Sequence, residues 1–304
     1  MELTRKNLKG SMVALVTPFR QWKIDERALK RLLDFHLEQG TDVMVPCGTT
    51  GETATLSHEE HRGLMNFVVE YVNGRVPVIC GAGSNSTEEA ASLVRHAKKS
   101  KADGVLVVTP YYNKPTQEGL FRHYEFLAKE VDIPIVIYNV PSRTGISIAP
   151  ETVIRLAKIS NVIGIKEASG SLDQASKIIA GCNLAVLSGE DSLTLPLLSI
   201  GATGVISVVA NVVPKQVHEM VEAYLSGTVR EAQRLHQELF SLSKVLFIET
   251  NPIPVKTALA LMGFISGELR LPLCEMSDEN QKKLVHVLKQ QGLIKSTRSA
   301  GCVH

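Results

Sequence analysis

The chain lacks the usual marks of a disulfide-built, nucleic-acid-binding or membrane protein. Its five cysteines, Cys47, Cys80, Cys182, Cys274 and Cys302, are scattered, odd in number and without C-x-x-C spacing. That argues against a zinc knuckle or a redox pair and reads as free thiols in a reducing compartment. Charge excess is missing too. Lys and Arg number 33 against 31 Asp and Glu, a net +2, so nothing points to nucleic acid or a membrane surface as partner. No stretch approaches the roughly 20 apolar residues needed to cross a bilayer. The apolar run Ser11–Val16 is too short for a signal-peptide core and leads into Pro18-Phe19-Arg20, not a small-residue cleavage site. The expectation is a cytoplasmic enzyme.

What remains is an ordinary globular composition, 44% hydrophobic and 21% charged over 304 residues. Apolar, β-branched runs recur at Met12–Val16, Val43–Pro46, Val76–Cys80, Gly104–Val108, Ile135–Tyr138, Val162–Lys166, Ala185–Ser188 and Gly204–Val208. Helical patterns lie between them. Ser57 with Glu60 three residues on spells a capping box. Pro150 and Pro214 stand where a helix can start without an N–H. Alternating helices and strands buried on both faces predict parallel strands with helical crossovers. Eight such units fit an α/β fold, a (β/α)8 TIM barrel over residues 1–228. A doubly wound open sheet is the alternative, weakened because no Gly-x-Gly-x-x-Gly follows the first strand. Glu231–Ile248, Pro254–Phe264 and Asp278–Gln291 read as helices with no strand between them. They predict a small C-terminal helical domain over 229–294, and 295–304 is expected to be a disordered tail.

Barrel active sites lie at the C-terminal ends of the strands. The sixth run ends in Lys166, followed by Glu167 and small residues. A charge does not belong inside a strand buried on both faces. Lys166 is therefore either a snorkelling strand-end residue or a nucleophile. A lysine amine in a dry pocket loses proton affinity, and a neutral amine forms a Schiff base with a carbonyl. The other ends supply Thr49 and Thr50, Tyr111 and Tyr112, Tyr138, and Arg143. Each has a bland reading as well: packing for the tyrosines, turn hydroxyls for the threonines. Together they equip imine chemistry on small carboxylates, with Tyr hydroxyls to move protons and Arg143 as a planar fork for a carboxylate. Phosphate substrates are disfavoured, because the seventh strand's loop carries Glu190 and Asp191.

Four motifs occur in order: Gly48-Thr49-Thr50-Gly51-Glu52, Tyr111-Tyr112-Asn113-Lys114-Pro115, Tyr138-Asn139-Val140-Pro141-Ser142-Arg143-Thr144-Gly145 and Gly164-Ile165-Lys166-Glu167. With Asn251-Pro252-Ile253-Pro254-Val255-Lys256 in the helical part, the chain resembles the class I pyruvate-dependent aldolases, most closely the dihydrodipicolinate synthase family. The resemblance spans nearly the whole chain. It implies condensation of pyruvate, bound as an imine on Lys166, with L-aspartate 4-semialdehyde to 4-hydroxy-tetrahydrodipicolinate, in diaminopimelate and lysine synthesis. It also implies a proton relay of Tyr138, Thr49 and Tyr112, the last donated across a dimer interface. Thr50 and backbone near Ile206 would hold the pyruvate carboxylate, Arg143 the second carboxylate, and Gly189 would line the site. No cofactor is implied. The family's usual assembly is a homotetramer, a dimer of tight dimers.

His58 and His61 sit three apart on a helix start, but no third ligand cluster accompanies them, so no metal is expected. The resemblance gives them another role. In lysine-inhibited members, residues matching Thr53, Ala54, His58, His61, Asn85, Glu89 and Tyr111 form an effector site. Two other readings stay open. One is a related aldolase such as N-acetylneuraminate lyase or a 2-keto-3-deoxy sugar-acid aldolase, against which Arg143 and the Thr49-Thr50 pair argue. The other is a non-catalytic barrel that binds small carboxylates.

Overall fold

A computed structural model describes residues 3–295. Eight parallel strands form its centre: β1 Gly10–Ala14, β2 Val43–Val45, β3 Ile79–Gly81, β4 Gly104–Val108, β5 Ile135–Asn139, β6 Val162–Glu167, β7 Ala185–Ser188 and β8 Gly204–Ser207. They pair in the order β2-β1-β8-β7-β6-β5-β4-β3. The two edges of that order meet in a single parallel bridge, Met44 with Val78, which closes the ring. Two backbone bonds reinforce the seam, from Met44 N to the Pro77 carbonyl at 3.0 Å and from Gly81 N to the Pro46 carbonyl at 2.9 Å. The barrel expected from the eight runs is therefore present, and the open sheet is not.

Nearly every strand residue is buried, as β-branched runs covered inside by the opposite wall and outside by helices require. The helices are α1 Glu26–Glu38, α2 His58–Val72, α3 Thr87–Lys99, α4 Gln117–Glu130, α5 Pro141–Thr144, α6 Pro150–Leu156, α7 Leu172–Gly181, α8 Thr194–Ser199, α9 Pro214–Leu225, α10 Val229–Val245, α11 Ile253–Leu261 and α12 Asp278–Gln290. Ser57 caps α2 with the anticipated reciprocal box to Glu60. Ser86, Thr116, Ser171 and Ser277 cap four others through their hydroxyls. Each cap satisfies an N–H that the first turn leaves orphaned.

Some boundaries differ from the sequence expectation. The first strand ends at Ala14, although Leu15 and Val16 stay buried and bonded, to the Val45 carbonyl and to Asn211 Oδ1. The third begins at Ile79, because Pro77 has no N–H to give a ladder and the Val78 N–H goes to Asp103 Oδ2 at 2.8 Å. Phe19–Arg20 and Lys23–Ile24 form a short antiparallel hairpin. The segment between the seventh and eighth strands opens as a 3-10 turn, Asp191–Leu193, before α8. A C-terminal helical region follows α9: α10 packs on α9, and α11 and α12 pack on each other. The expected disordered tail lies, apart from Lys295, outside the described residues.

Candidate active site

Strand alternation sets the stage. In β6, Lys166 points into the barrel mouth and Glu167 points the other way, into the helix layer. Tyr138 is the cross-strand partner of Lys166, and Asn139 is the partner of Glu167. The lysine is buried, 5% exposed. Its Nζ stands 4.3 Å from the centre of the Tyr138 ring, where a cation is attracted to the ring face. The sequence left open whether Lys166 reaches water; the fold holds it inside.

Behind this pair the Glu167 carboxylate takes hydrogen bonds from Asn139 Nδ2 at 3.1 Å to both oxygens, from Ser169 N at 2.8 Å and from Gln174 Nε2 at 3.1 Å. A buried carboxylate so supplied is a rigid fastener between β5, β6 and α7. Gly189 abuts the lysine stem. A Cβ there would lie 3.1 Å from Lys166 Cε and 2.6 Å from Ala168 Cβ, so only glycine leaves room.

A cavity of about 250 Å³ opens over Lys166, lined also by Thr50, Tyr138, Ser142, Arg143, Gly189 and Asp191. Beside it a second cavity of about 310 Å³ is lined by Thr49, Glu52, Thr53, Ala54, Tyr111 and Leu106. Tyr138, Val140, Arg143 and Asn251 line both. Arg143 sits on α5, a single turn that starts at Pro141 and stops at Gly145 with φ 72°. Ile206 is buried in β8.

The acids beside the mouth are not loose loop charges. Asp191 is buried, accepts from the Ser207 hydroxyl, and takes Val208 N at 2.9 Å and Val209 N at 3.3 Å. Burial pushes its carboxyl above the usual range, while those bonds and the charge of Lys166 pull it back. Glu190 is also pushed up, first by burial and then by Glu167.

The loop carrying Thr49 and Thr50 is fastened from far along the chain. Glu52, with φ 54°, pairs with Lys256 Nζ at 2.5 Å, and both side chains are essentially fully buried. Burial lowers the Lys256 amine and the Glu52 charge opposes it. The Arg270 N–H gives Glu52 a second bond at 3.1 Å. Asn251 Nδ2 donates to Thr50 Oγ1 at 3.0 Å, and Arg143 Nη2 donates to the Asn251 carbonyl at 2.9 Å. In the sequence Asn251 and Lys256 stand out only as parts of a motif. Their partners lie 201 and 204 residues away, beyond any local pattern.

Tyr112 is not brought to Lys166 within the chain. It is 90% exposed with φ 70°, an unusual backbone for a bulky residue.

The seven expected effector residues divide. Thr53, Ala54 and Tyr111 line the larger of the two mouth cavities. His58 and Glu89, with Nδ1 and Oε1 3.5 Å apart, line a separate surface hollow. Asn85 offers its carbonyl to Asn113 Nδ2 at 2.8 Å. His61 is buried and donates through Nε2 to the Gly81 carbonyl at 2.8 Å, and burial lowers its pKa. The two histidines thus face different partners. Among the described residues no group of three or more His, Cys, Asp or Glu is placed to hold a metal.

A buried lysine on an aromatic face at the mouth of a parallel barrel narrows the chemistry, and comparison with known proteins names the family. The model of the Dihydrodipicolinate synthetase family matches residues 7–291. The chain belongs to that family. A 4-hydroxy-tetrahydrodipicolinate synthase of Pelobacter propionicus is 55% identical over 94% of this chain and 99% of its own. The crystal structure of dihydrodipicolinate synthase from Aquifex aeolicus superposes with a TM-score of 0.94 at 50% identity, over 95% of this chain and all of that one. The Cyanidioschyzon merolae enzyme, solved with lysine bound, gives a TM-score of 0.91 at 40% identity, over 94% and 99% of the two chains. As a member of the dihydrodipicolinate synthetase family the chain is a lyase of the 4-hydroxy-tetrahydrodipicolinate synthase type. No helix among the described residues is long and apolar enough to cross a membrane.

Proposed function

We propose that the enzyme condenses pyruvate with L-aspartate 4-semialdehyde to 4-hydroxy-tetrahydrodipicolinate through an imine on Lys166. The observation that carries this is Lys166 itself: buried, on the Tyr138 face, lining a cavity of about 250 Å³ with Thr50, Arg143 and Gly189. The volume suits small substrates.

In this reading the neutral Lys166 amine adds to the pyruvate ketone. The carbinolamine loses water, and the imine loses a C3 proton to become an enamine. Tyr138 and Thr49, with Tyr112 of a second subunit, carry these protons. Thr50 and backbone near Ile206 hold the pyruvate carboxylate. The enamine carbon attacks the aldehyde, whose own carboxylate rests on Arg143. The substrate's amino group then displaces Lys166 by transimination, which closes the ring and frees the enzyme. One water is released overall, at imine formation. Arg143 favours this substrate over a long polyhydroxylated sugar acid, which would need hydroxyl-binding groups instead.

The same proposal has three further parts. Residues 1–228 act as the catalytic barrel and 229–294 as the helical domain that completes it. The protein assembles as a homotetramer of tight dimers, and the exposed Tyr112 is supplied to the neighbouring subunit. Lysine inhibits at the set Thr53, Ala54, His58, His61, Asn85, Glu89 and Tyr111; a family member solved with lysine bound supports this part.

Borohydride added with pyruvate should trap an adduct on Lys166, seen by peptide mass spectrometry, and Lys166→Ala should trap none. Active protein without the adduct refutes the mechanism. Arg143→Ala should impair use of the semialdehyde while pyruvate still traps, and faster turnover of sialic acid than of the semialdehyde would overturn the substrate. A rate indifferent to millimolar lysine removes the inhibition.

A further inference from the structure

We infer that Asn251 is a positioning residue for the pyruvate subsite: its amide N–H, held on Thr50 Oγ1, fixes the direction of the Thr50 hydroxyl proton. The inference rests on the proposed role of Thr50 as the group that holds the pyruvate carboxylate.

A hydroxyl has one proton to give and lone pairs to receive. The Asn251 Nδ2 to Thr50 Oγ1 bond is 3.0 Å long, and Thr50 and Asn251 are only 3% and 6% exposed. The bond is therefore largely shielded from bulk water. With a lone pair of Oγ1 taken by the amide, the Thr50 proton is left for the cavity that Lys166 also lines. A carboxylate accepts and never donates, so a donor aimed into that space is what it requires. Were residue 251 an acceptor, Thr50 would turn its proton toward it and present lone pairs to the carboxylate. Among the described residues no other donor draws on the amide, since Asn251 Oδ1 is buried without a partner there. The second tether is separable from the first. Arg143 bonds the main-chain carbonyl of Asn251, which a change of side chain leaves in place.

The test compares Asn251→Ala with Asn251→Asp in steady-state kinetics. Alanine removes the donor, and the pyruvate KM should rise roughly fivefold with little change in kcat. Aspartate keeps the shape but, when ionised, reverses the polarity. At pH 8 the pyruvate KM should rise roughly thirtyfold. A protonated carboxyl donates again, so the ratio of this KM to the unaltered enzyme's at the same pH should fall toward pH 6. A purely structural role predicts the opposite order, with the isosteric aspartate the milder and flat with pH. Asn251→Asp no worse than Asn251→Ala, or a ratio that ignores pH, overturns the inference. Should Asn251→Asp not fold, Thr50→Val supplies the second measurement. Adding Asn251→Ala to it should raise KM no further, and additive losses refute the coupling. Pyruvate trapping on the unaltered enzyme keeps the two readings apart. No adduct there sinks the imine mechanism, whereas an adduct with the wrong order of variants sinks only the role of Asn251.

Discussion

Acidification from pH 7 to pH 5 should destabilise the fold by about 4 kcal/mol through two histidines. His36 is fully buried, with Nδ1 3.0 Å from Thr41 Oγ1 and Nε2 without a partner among the described residues. His123 is 5% exposed, with Nδ1 2.9 Å from Thr87 Oγ1 and Nε2 likewise unpartnered among the described residues. An imidazolium needs acceptors at both nitrogens and solvent for its charge; these sites give neither. Burial lowers His36 from 6.5 to about 3 and His123 from 6.5 to about 4. Between those values and 6.5 the unfolded chain binds protons that the folded chain refuses. Stability is therefore full above about pH 6.5 and falls as pH drops. A pH of 5 lies about 1.5 units below the unfolded histidine pKa and above both folded values, so each histidine loses about 2 kcal/mol. His61, also lowered by burial, adds in the same direction. Urea unfolding at fixed protein concentration, at both pH values, reads the difference. His36→Gln should lose about 2 kcal/mol of the pH dependence, whatever it does to absolute stability. Equal stability at pH 5 and 7, or a variant with the full slope, refutes the reasoning.

Lys256→Met leaves the buried Glu52 without its cation and should cost about 3–5 kcal/mol in chemical denaturation, much of it restored by adding Glu52→Gln. Gly189→Ala pushes a methyl to 2.6 Å from Ala168 Cβ and 3.1 Å from Lys166 Cε. It should cost about 1–3 kcal/mol and slow pyruvate imine formation more than it weakens the fold; an unchanged trapping rate counts against the packing argument.

The strands were legible because a barrel strand is covered on both faces, so Gly104–Val108 carries no polar side chain and Ala185–Ser188 carries only its terminal serine. Lys166 was legible for the complementary reason: it interrupts such a run. Short elements were not. Pro141–Thr144 is one turn, too brief for a 3.6-residue period to show, yet it carries Arg143. Asp191 read as a loop charge because its Ser207 and Val208 donors come from the next strand's end. The role given to Asn251 depends on a bond across 201 residues, and Tyr112 lies exposed, away from Lys166 in its own chain, which its place in a strand-end motif does not foretell.

The Glu52–Lys256 pair also sets a timetable. A ribosome makes Glu52 first and must add 204 more residues before its counter-ion exists, a wait of roughly 10–40 s at elongation rates of about 5–20 residues per second. Through that interval the threonine loop has no buried cation to close upon. The nascent barrel can gather its strands, but its mouth stays unset until the last quarter of the chain arrives. The setting of the threonine loop thus waits on Lys256, a residue made late whose amine is buried against the Glu52 carboxylate.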